Sequence, residues 1–291
     1  MNAKDLTDYK NCTLCPRMCG VDRAGGARGF CGCPDGAVIG KYMLHKWEEP
    51  VLAGEGGSGA IFFSGCTLRC SYCQNAAISR VPKGQTVDGK GLRRIMDELV
   101  AQGAENIDLV TPTQYLPTVL EALETPVSVP VVYNCGGYER VETVERLAGK
   151  VDIWLPDLKY ANEDAARSLS AAPDYFQVAT EAILAMFRQV GPCQFQGDKL
   201  KKGVVIRHLI LPGQVENSLK VLDWIGDHFR PGEVLVSLMR QYTPMPGMPA
   251  PLDRPITQEE YDGVLSWMYL CGVEGFTQEE TAATGEFIPD F

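Results

Sequence analysis

Residues 60–75 read AIFFSGCTLRCSYCQN, a short apolar run followed by a loop that contains three cysteines. The apolar run at residues 60–63 predicts a buried strand, and the cysteines have the spacing C-x3-C-x2-C. Three thiolates in one loop, from Cys66, Cys70 and Cys73, match three corners of a cubane [4Fe–4S] cluster. The loop has no fourth cysteine, so one iron keeps an open position, as catalytic metals do. The alternatives are a zinc knuckle and a plain electron-transfer cluster, which usually need a fourth protein ligand.

Beyond this loop, short apolar runs alternate with amphipathic stretches. Further strands are predicted at residues 107–110, 129–133, 151–155, 204–210 and 233–238. Helices are predicted at residues 91–102, 116–123, 141–147, 163–189 (as one or two helices), 216–228 and 257–270. Strands that alternate with helices predict right-handed βαβ units and a parallel sheet. A partial (β/α)6 barrel of the TIM type and a doubly wound sheet both fit this pattern, and we favour the partial barrel.

Composition and charge limit the classes of partner. The chain has 291 residues, of which 45% are hydrophobic, enough for one α/β core. Its net charge of −10 disfavours nucleic acid and anionic membranes as partners. No apolar run approaches the ~18 residues of a membrane span, and the first residues, MNAKDLTDYKNC, contain no apolar signal segment. We therefore expect a cytoplasmic protein, in which eleven cysteines indicate metal binding or catalysis and not disulfides.

A second group of cysteines lies near the N-terminus, with the spacing C-x2-C-x3-C-x11-C-x-C. The segment between them is rich in Gly and Pro and poor in apolar residues, so a metal would supply its folding energy. We expect four ligands, Cys12, Cys15, Cys19 and Cys31, with Cys33 as an alternative fourth ligand. Four thiolates suit either zinc or a second [4Fe–4S] cluster. We predict a Cys-rich segment at residues 1–50 and a core domain at residues 51–291.

Several segments resemble the radical S-adenosylmethionine (SAM) family related to pyruvate formate-lyase activating enzymes. The matching segments are CTLCPRMCGVDR, HKWEEPVLAGEGGSGAIFFSGCTLRCSYCQN, VTPTQYLP, VDIWLPDLKY, IRHLILPG and SLMRQYTP. The resemblance implies a partial (β/α)6 barrel and a [4Fe–4S] cluster whose open iron binds SAM. It also implies that Tyr72, just before the third cysteine of the loop, lies near the adenine of SAM.

The resemblance implies further SAM contacts after the strands. Residues 111–113, which include Thr111 and Thr113, stand where many relatives have a Gly-Gly-Glu turn for the SAM amino group. It places Asn134 near the ribose or carboxylate of SAM. It places Asp157, Lys159 and Arg207 near the SAM carboxylate; the alternatives are a strand-end cap for Asp157 and Lys159, and a buried acid partner for Arg207. If Arg207 faces the site, the neighbouring His208 should face the helix layer, because side chains alternate along a strand.

The implied activity is reductive cleavage of SAM and hydrogen abstraction from a protein or peptide substrate. Activation of a glycyl radical enzyme is the specific case, and an external donor such as flavodoxin or ferredoxin supplies the electron. A peptide maturase and a small-molecule enzyme are alternatives within the same chemistry, because one fold supports many reactions. A non-catalytic iron–sulfur or zinc electron-transfer protein is the alternative from a different class.

Overall fold

The computed structural model describes residues 9–278, and its centre is a sheet of parallel strands. The parallel strands are β2 (Ser58–Phe63), β4 (Asn106–Val110), β5 (Val131–Cys135), β6 (Ile153–Pro156), β8 (Lys199–Leu209), β9 (Leu235–Met239) and β10 (Gly275–Thr277). Every residue of β2, β5 and β6 is buried, as expected for strands covered on both faces. Each strand predicted from an apolar run is present, with ends shifted by a few residues.

The order of the strands distinguishes a barrel from a doubly wound sheet. The strands run β10-β9-β8-β6-β5-β4-β2-β1-β3 across the sheet, so the parallel strands are neighbours in chain order. A doubly wound sheet reverses its order at a switch point, and no reversal occurs among these parallel strands. The prediction of a partial TIM-type barrel is confirmed.

Helices alternate with the strands; most pack on the outer face of the sheet, whereas the short helix at Pro50–Ala53 packs on the inner face against Val132 and Val205. The helices are α1 (Pro50–Ala53), α2 (Ala76–Ser79), α3 (Gly89–Ala101), α4 (Leu116–Ala122), α5 (Val141–Arg146), α6 (Glu163–Ser170), α7 (Tyr175–Val190), α8 (Val215–His228) and α9 (Gln258–Leu270). Local signals start them: Asp88 caps α3, and Thr257 with Glu260 forms a capping box at α9. None of the helices in the described part of the chain has the length and apolarity that a bilayer crossing requires.

Three further strands were not predicted. Strand β1 (Ala37–His45) pairs antiparallel with β2 and with β3 (Gln85–Val87), and β7 (Gln194–Gln196) forms a hairpin with β8. Through β1, part of the segment predicted as residues 1–50 joins the sheet of the core domain. Residues 1–8 and 279–291, at the ends of the two predicted domains, lie outside the described residues.

The Cys-rich segment is fastened to the barrel through backbone carbonyls. The Arg17 guanidinium donates to the carbonyl oxygens of Thr67 at 2.9 Å and Ser170 at 2.8 Å, and also to that of Ala171. In the opposite direction, Arg140 of the barrel donates to the carbonyl oxygen of Thr13 at 2.7 Å. These contacts hold a segment with little regular secondary structure against the barrel.

Two neighbouring residues of strand β8, Arg207 and His208, lie on opposite faces of the sheet. Arg207 points toward the carboxyl edge of the sheet, whereas the His208 ring is fully buried against helix α8. His208 Nδ1 donates to the carbonyl oxygen of Leu158 at 2.6 Å, and Nε2 accepts from the Ser218 hydroxyl at 2.8 Å. The expected alternation of Arg207 and His208 is confirmed. Burial lowers the pKa of His208 to about 4.

We expect His208 to make the fold sensitive to acid. Its pKa is lower in the folded chain than in the unfolded chain, so the unfolded state binds more protons between pH 6.5 and about 4. Stability from the neutral ring is present above pH 6.5 and is lost as the pH falls, by roughly 1.4 kcal/mol per pH unit. In His208→Asn this acid-dependent loss should disappear, although the variant is less stable at pH 7. Urea unfolding at pH 7 and pH 5 measures the loss of stability in each protein. An equal loss in the wild type and in His208→Asn would contradict the expectation.

Candidate active site

A cavity of about 670 Å³ opens at the carboxyl edge of the parallel strands. Ligand sites in parallel α/β folds lie at this edge, because the loops that follow the strands meet there. Most of the residues predicted for the site line this cavity. These are Cys66, Cys70, Tyr72, Cys73, Thr111, Asn134, Asp157, Lys159 and Arg207. The structure therefore brings together residues that come from five separate segments of the chain.

The cysteine loop begins where strand β2 ends. Gly65 has a φ of +79°, and a Cβ at this position would lie 2.1 Å from the Cys33 sulfur, so only glycine fits. Each of the three thiols accepts a hydrogen bond. Cys66 accepts from the backbone N–H of Leu68 at 3.4 Å, Cys70 from the Ser170 hydroxyl at 2.9 Å and Cys73 from the Ser79 hydroxyl at 3.4 Å.

The thiols suit a cluster in chemistry and placement. Burial, together with the neighbouring Cys70, raises the pKa of Cys66 to about 12, so a metal would have to displace the proton. No group of three or more His, Cys, Asp or Glu side chains within residues 9–278 is arranged to hold a metal ion. A cubane does not need such an arrangement, because its thiolates bind different iron atoms. Three thiols facing one cavity, with room beside them for a further ligand, fit an open-cornered [4Fe–4S] cluster.

A chain of hydroxyl groups connects Tyr72 with the cysteine loop. The hydroxyl oxygens of Tyr72 and Tyr160 are 2.7 Å apart, and that of Tyr160 is 2.8 Å from Ser170 Oγ. Because Ser170 donates to the Cys70 sulfur, the chain has one consistent direction, from Tyr72 through Tyr160 and Ser170 to Cys70. The chain orients the Tyr72 ring in the cavity wall and gives the Cys70 thiolate a donor.

Arg207 is the centre of the charged network in the cavity. Its Nε lies 3.0 Å from Asp157 Oδ1, and its Nη2 donates to Asn134 Oδ1 at 2.7 Å. Lys159 contacts the other carboxylate oxygen of Asp157. Burial raises the pKa of Asp157, but Arg207 and Lys159 outweigh that effect and hold the pKa below its usual value. Asp157 therefore stays ionised, and the two cations remain directed toward the cavity.

The residues 45–50, which read HKWEEP, form one wall of the cavity. Glu48 lies 3.9 Å from Arg207 Nη1. Burial and the neighbouring Glu48 raise the pKa of Glu49 to about 7. Asp108 of strand β4 is fully buried behind the wall and accepts from Asn134 Nδ2 at 3.3 Å. Burial and the neighbouring Glu48 raise the pKa of Asp108 well above its usual value, which favours its protonated form.

These acidic residues were not predicted as site residues, although the sequence contains a signal for them. Asp108 is a charged residue inside an otherwise apolar strand, NIDLV, and such a residue is rarely buried without a partner. Glu48 and Glu49 belong to the HKWEEP segment of the family resemblance. Their place in the wall depends on β1, the antiparallel strand that sequence periodicity did not reveal.

The structure does not bring Thr113 into the cavity. Residues Thr113–Tyr115 form a 3-10 turn that directs the Thr113 hydroxyl to the buried carboxylate of Glu139, at 2.5 Å. Thr111 does line the cavity, in a left-handed conformation with φ +61°, and its N–H donates to the Asn134 carbonyl oxygen at 2.7 Å. The expectation that Thr113 contacts SAM is therefore not supported by its position.

The N-terminal cysteines lie outside the cavity. Cys12, Cys15, Cys31 and Cys33 are buried, whereas Cys19 is exposed. The Cys33 sulfur lies 3.6 Å from the carbonyl oxygen of Ser64, immediately before the cysteine loop that lines the cavity. The two groups of cysteines are therefore separate but adjacent.

The sequence and the fold are similar to those of known proteins. Residues 52–116 match the family described as "4Fe-4S single cluster domain". The fold is similar to that of a radical SAM methyltransferase from Sphaerobacter thermophilus, with a TM-score of 0.50, 15% identity, and coverage of 76% of this chain and 66% of that one. A domain of pyruvate-formate lyase-activating enzyme from Bacteroides vulgatus gives a TM-score of 0.39 and 12% identity, with coverage of 66% of this chain and 91% of that one. The latter likeness is too low to support a shared activity.

A relative at higher identity is the uncharacterized protein MJ0674 of Methanocaldococcus jannaschii. It is 30% identical over 246 residues, which are 81% of this chain and 67% of that protein. The match with MJ0674 covers most of this chain. The cluster domain at residues 52–116 contains the C-x3-C-x2-C loop. The chain therefore belongs to the family of MJ0674; it also matches a 4Fe–4S domain, and its fold is similar to that of a radical SAM methyltransferase.

Proposed function

We propose that this protein is a radical SAM enzyme in which Cys66, Cys70 and Cys73 hold a [4Fe–4S] cluster that binds and reductively cleaves SAM. The observation that carries the proposal is the single cavity in which the three thiols face Arg207, Asp157, Lys159 and Asn134. When bound, the cluster and SAM supply an electron and a sulfonium whose cleavage gives a 5′-deoxyadenosyl radical. Everything else is binding, orientation and exclusion of water by the protein.

The residues of the cavity can share this work. Arg207, held by Asp157 and Asn134, presents a fixed guanidinium suited to the SAM carboxylate. The carboxyl group of Glu48, in the wall formed by residues 45–50, suits a positively charged amino group. Tyr72 is oriented by its hydroxyl chain and can pack beside the adenine.

The proposed substrate is a protein or peptide from which hydrogen is abstracted. Activation of a glycyl radical enzyme is the specific case that the sequence resemblance favours, and a flavodoxin or ferredoxin is the proposed electron donor. The N-terminal cysteines are proposed to hold a second metal, either a [4Fe–4S] cluster or zinc.

Removal of one thiol from the cavity should abolish SAM cleavage. After anaerobic reconstitution, the protein should absorb near ~400 nm, as thiolate-bound clusters do, and with a strong reductant it should convert SAM to 5′-deoxyadenosine and methionine. Cys70→Ala should lose this activity by more than ~100-fold, because the cubane loses one of its three thiolates. Cys271→Ser is the matched control, since Cys271 lies outside the cavity next to Asp223. Chromatography of 5′-deoxyadenosine and methionine measures the activity of both variants. A non-catalytic iron–sulfur protein would show the absorbance without the products.

Replacement of Arg207 should weaken SAM binding. Arg207→Lys keeps the charge but loses the two-sided contact to Asp157 and Asn134, so we expect SAM affinity to fall roughly 10-fold, or about 1.4 kcal/mol. Equilibrium dialysis with labelled SAM on the reconstituted protein measures it without turnover. The control is Arg167→Lys, an exposed arginine of helix α6. Equal SAM affinity in Arg207→Lys and the wild type, with both folded, would argue against this placement of SAM.

Hydrogen should pass from a peptide to 5′-deoxyadenosine. We expect deuterium in 5′-deoxyadenosine when the reconstituted enzyme, SAM and a reductant are incubated with peptides deuterated at Cα, and mass spectrometry detects it. The peptide-free reaction gives the natural-abundance background of 5′-deoxyadenosine. Deuterium that comes only from labelled small molecules would exclude the protein or peptide substrate and leave the SAM chemistry intact.

A further inference from the structure

Arg23 is a buried cation that pairs with no carboxylate in the described part of the chain. Its side chain is 1% exposed, and none of the ion pairs found within residues 9–278 includes it. The guanidinium donates to the carbonyl oxygens of Pro34 at 3.0 Å and Gln114 at 2.7 Å, and it lies 4.4 Å from the centre of the Tyr9 ring. These neutral groups satisfy the N–H donors but do not balance the charge. A buried charge without a counter-charge costs several kcal/mol, so an anion is expected nearby.

Two kinds of group beside Arg23 can become anionic: the Tyr9 phenol, whose pKa burial raises to about 12, and thiols. Arg23 Nη1 lies 3.6 Å from the Cys12 sulfur, and Cys31 is also close enough to interact with it electrostatically. Cys15 has both Cys12 and Cys31 as electrostatic neighbours, and the Cys33 sulfur lies 3.4 Å from the Cys31 carbonyl oxygen. Cys12 and Cys31 therefore lie beside the buried cation, and the other two buried cysteines, Cys15 and Cys33, neighbour this pair.

Cys19 stands apart from this group. It is exposed, and its sulfur lies 3.9 Å from the backbone carbonyl oxygen of Cys12. The spacing C-x2-C-x3-C suggested Cys19 as a ligand because it lies close in sequence, whereas the fold buries Cys33 completely.

We propose that Cys12, Cys15, Cys31 and Cys33 ligate the second metal and that Arg23 is its counter-cation. The proposal rests on the second metal suggested above and names its ligands. Four thiolates on a zinc ion or a [4Fe–4S] core leave a net negative charge, which the guanidinium offsets in the interior. Loading releases the thiol protons and draws the four side chains together, since no group of these residues within 9–278 is arranged around a metal ion beforehand. Zinc and iron share this thiolate chemistry, and metal analysis distinguishes them.

The test compares Cys33→Ser with Cys19→Ser in full-length protein that also carries Cys66→Ala, Cys70→Ala and Cys73→Ala. That background removes the first cluster, so the remaining metal belongs to the N-terminal cysteines. After anaerobic loading with iron and sulfide or with zinc alone, the background protein should retain about four iron atoms or about one zinc ion per chain. Cys19→Ser should retain the same amount, and Cys33→Ser should lose most of it. Loss in Cys19→Ser with retention in Cys33→Ser, or no metal in the background protein, would overturn the proposal.

A second measurement uses the wild-type chain and does not depend on the folding of a variant. Alkylation followed by mass spectrometry should label Cys19 in the metal-loaded protein and leave Cys12, Cys15, Cys31 and Cys33 unlabelled. Treatment with a chelator should make these four reactive. If they stay unreactive after all metal has been removed, burial alone protects them and the proposal is wrong.

The role of Arg23 has its own readout. Arg23→Gln keeps hydrogen-bond donors but removes the charge, so the metal should be lost to a chelator at least ~10-fold faster, and Arg23→Lys should recover part of the difference. Equal rates in the wild type and Arg23→Gln would exclude the counter-cation. SAM cleavage is scored separately with intact Cys66, Cys70 and Cys73, so failure of this metal site is distinguishable from failure of the proposed function.

Discussion

The charge of Arg207 has to be balanced inside the barrel, and this requirement organises the carboxyl edge of the sheet. The guanidinium contacts Asp157 after strand β6 and Asn134 at the end of β5, and Asn134 in turn contacts Asp108 of β4. Glu48 reaches the same cation from the wall at residues 45–50. One side chain therefore links three neighbouring strands and a loop that precedes the barrel. Because the acids outnumber the cations around it, some carboxyl groups keep their protons, as the raised pKa values of Asp108 and Glu49 indicate.

Much of the barrel and its cavity could be predicted from sequence because both follow from simple patterns. Strands such as Val131–Cys135 are buried along their whole length, and polar residues that follow such strands meet at one edge. Strands β3 and β7 are three residues long and largely exposed, so no apolar run marks them. The positions of Glu48 and Glu49 in the cavity wall depend on the antiparallel pairing of β1 with β2. This pairing is a long-range contact that local periodicity does not encode.

Individual side chains were harder to place than backbone elements. Thr113 is two residues from Thr111 in sequence, yet the 3-10 turn that follows Pro112 directs it to Glu139, away from the cavity. Similarly, sequence spacing favours Cys19 over Cys33 as a ligand, whereas the fold buries Cys33 beneath Gly65 and leaves Cys19 exposed. In both cases the local path of the backbone decides where a side chain lies, even for residues that are close together in sequence.

The hydrogen bonds between Arg17 and the barrel have a consequence for sequence variation. Its acceptors are the main-chain oxygens of Thr67, Ser170 and Ala171, which every amino acid provides. Substitutions at Thr67 and Ala171 can therefore leave this attachment intact as long as the backbone keeps its course, and Ala171, with a φ of +49°, restricts that course most. Among homologues, selection on the attachment should fall on the arginine and on the shape of the loops it holds, and not on the side chains of those loops.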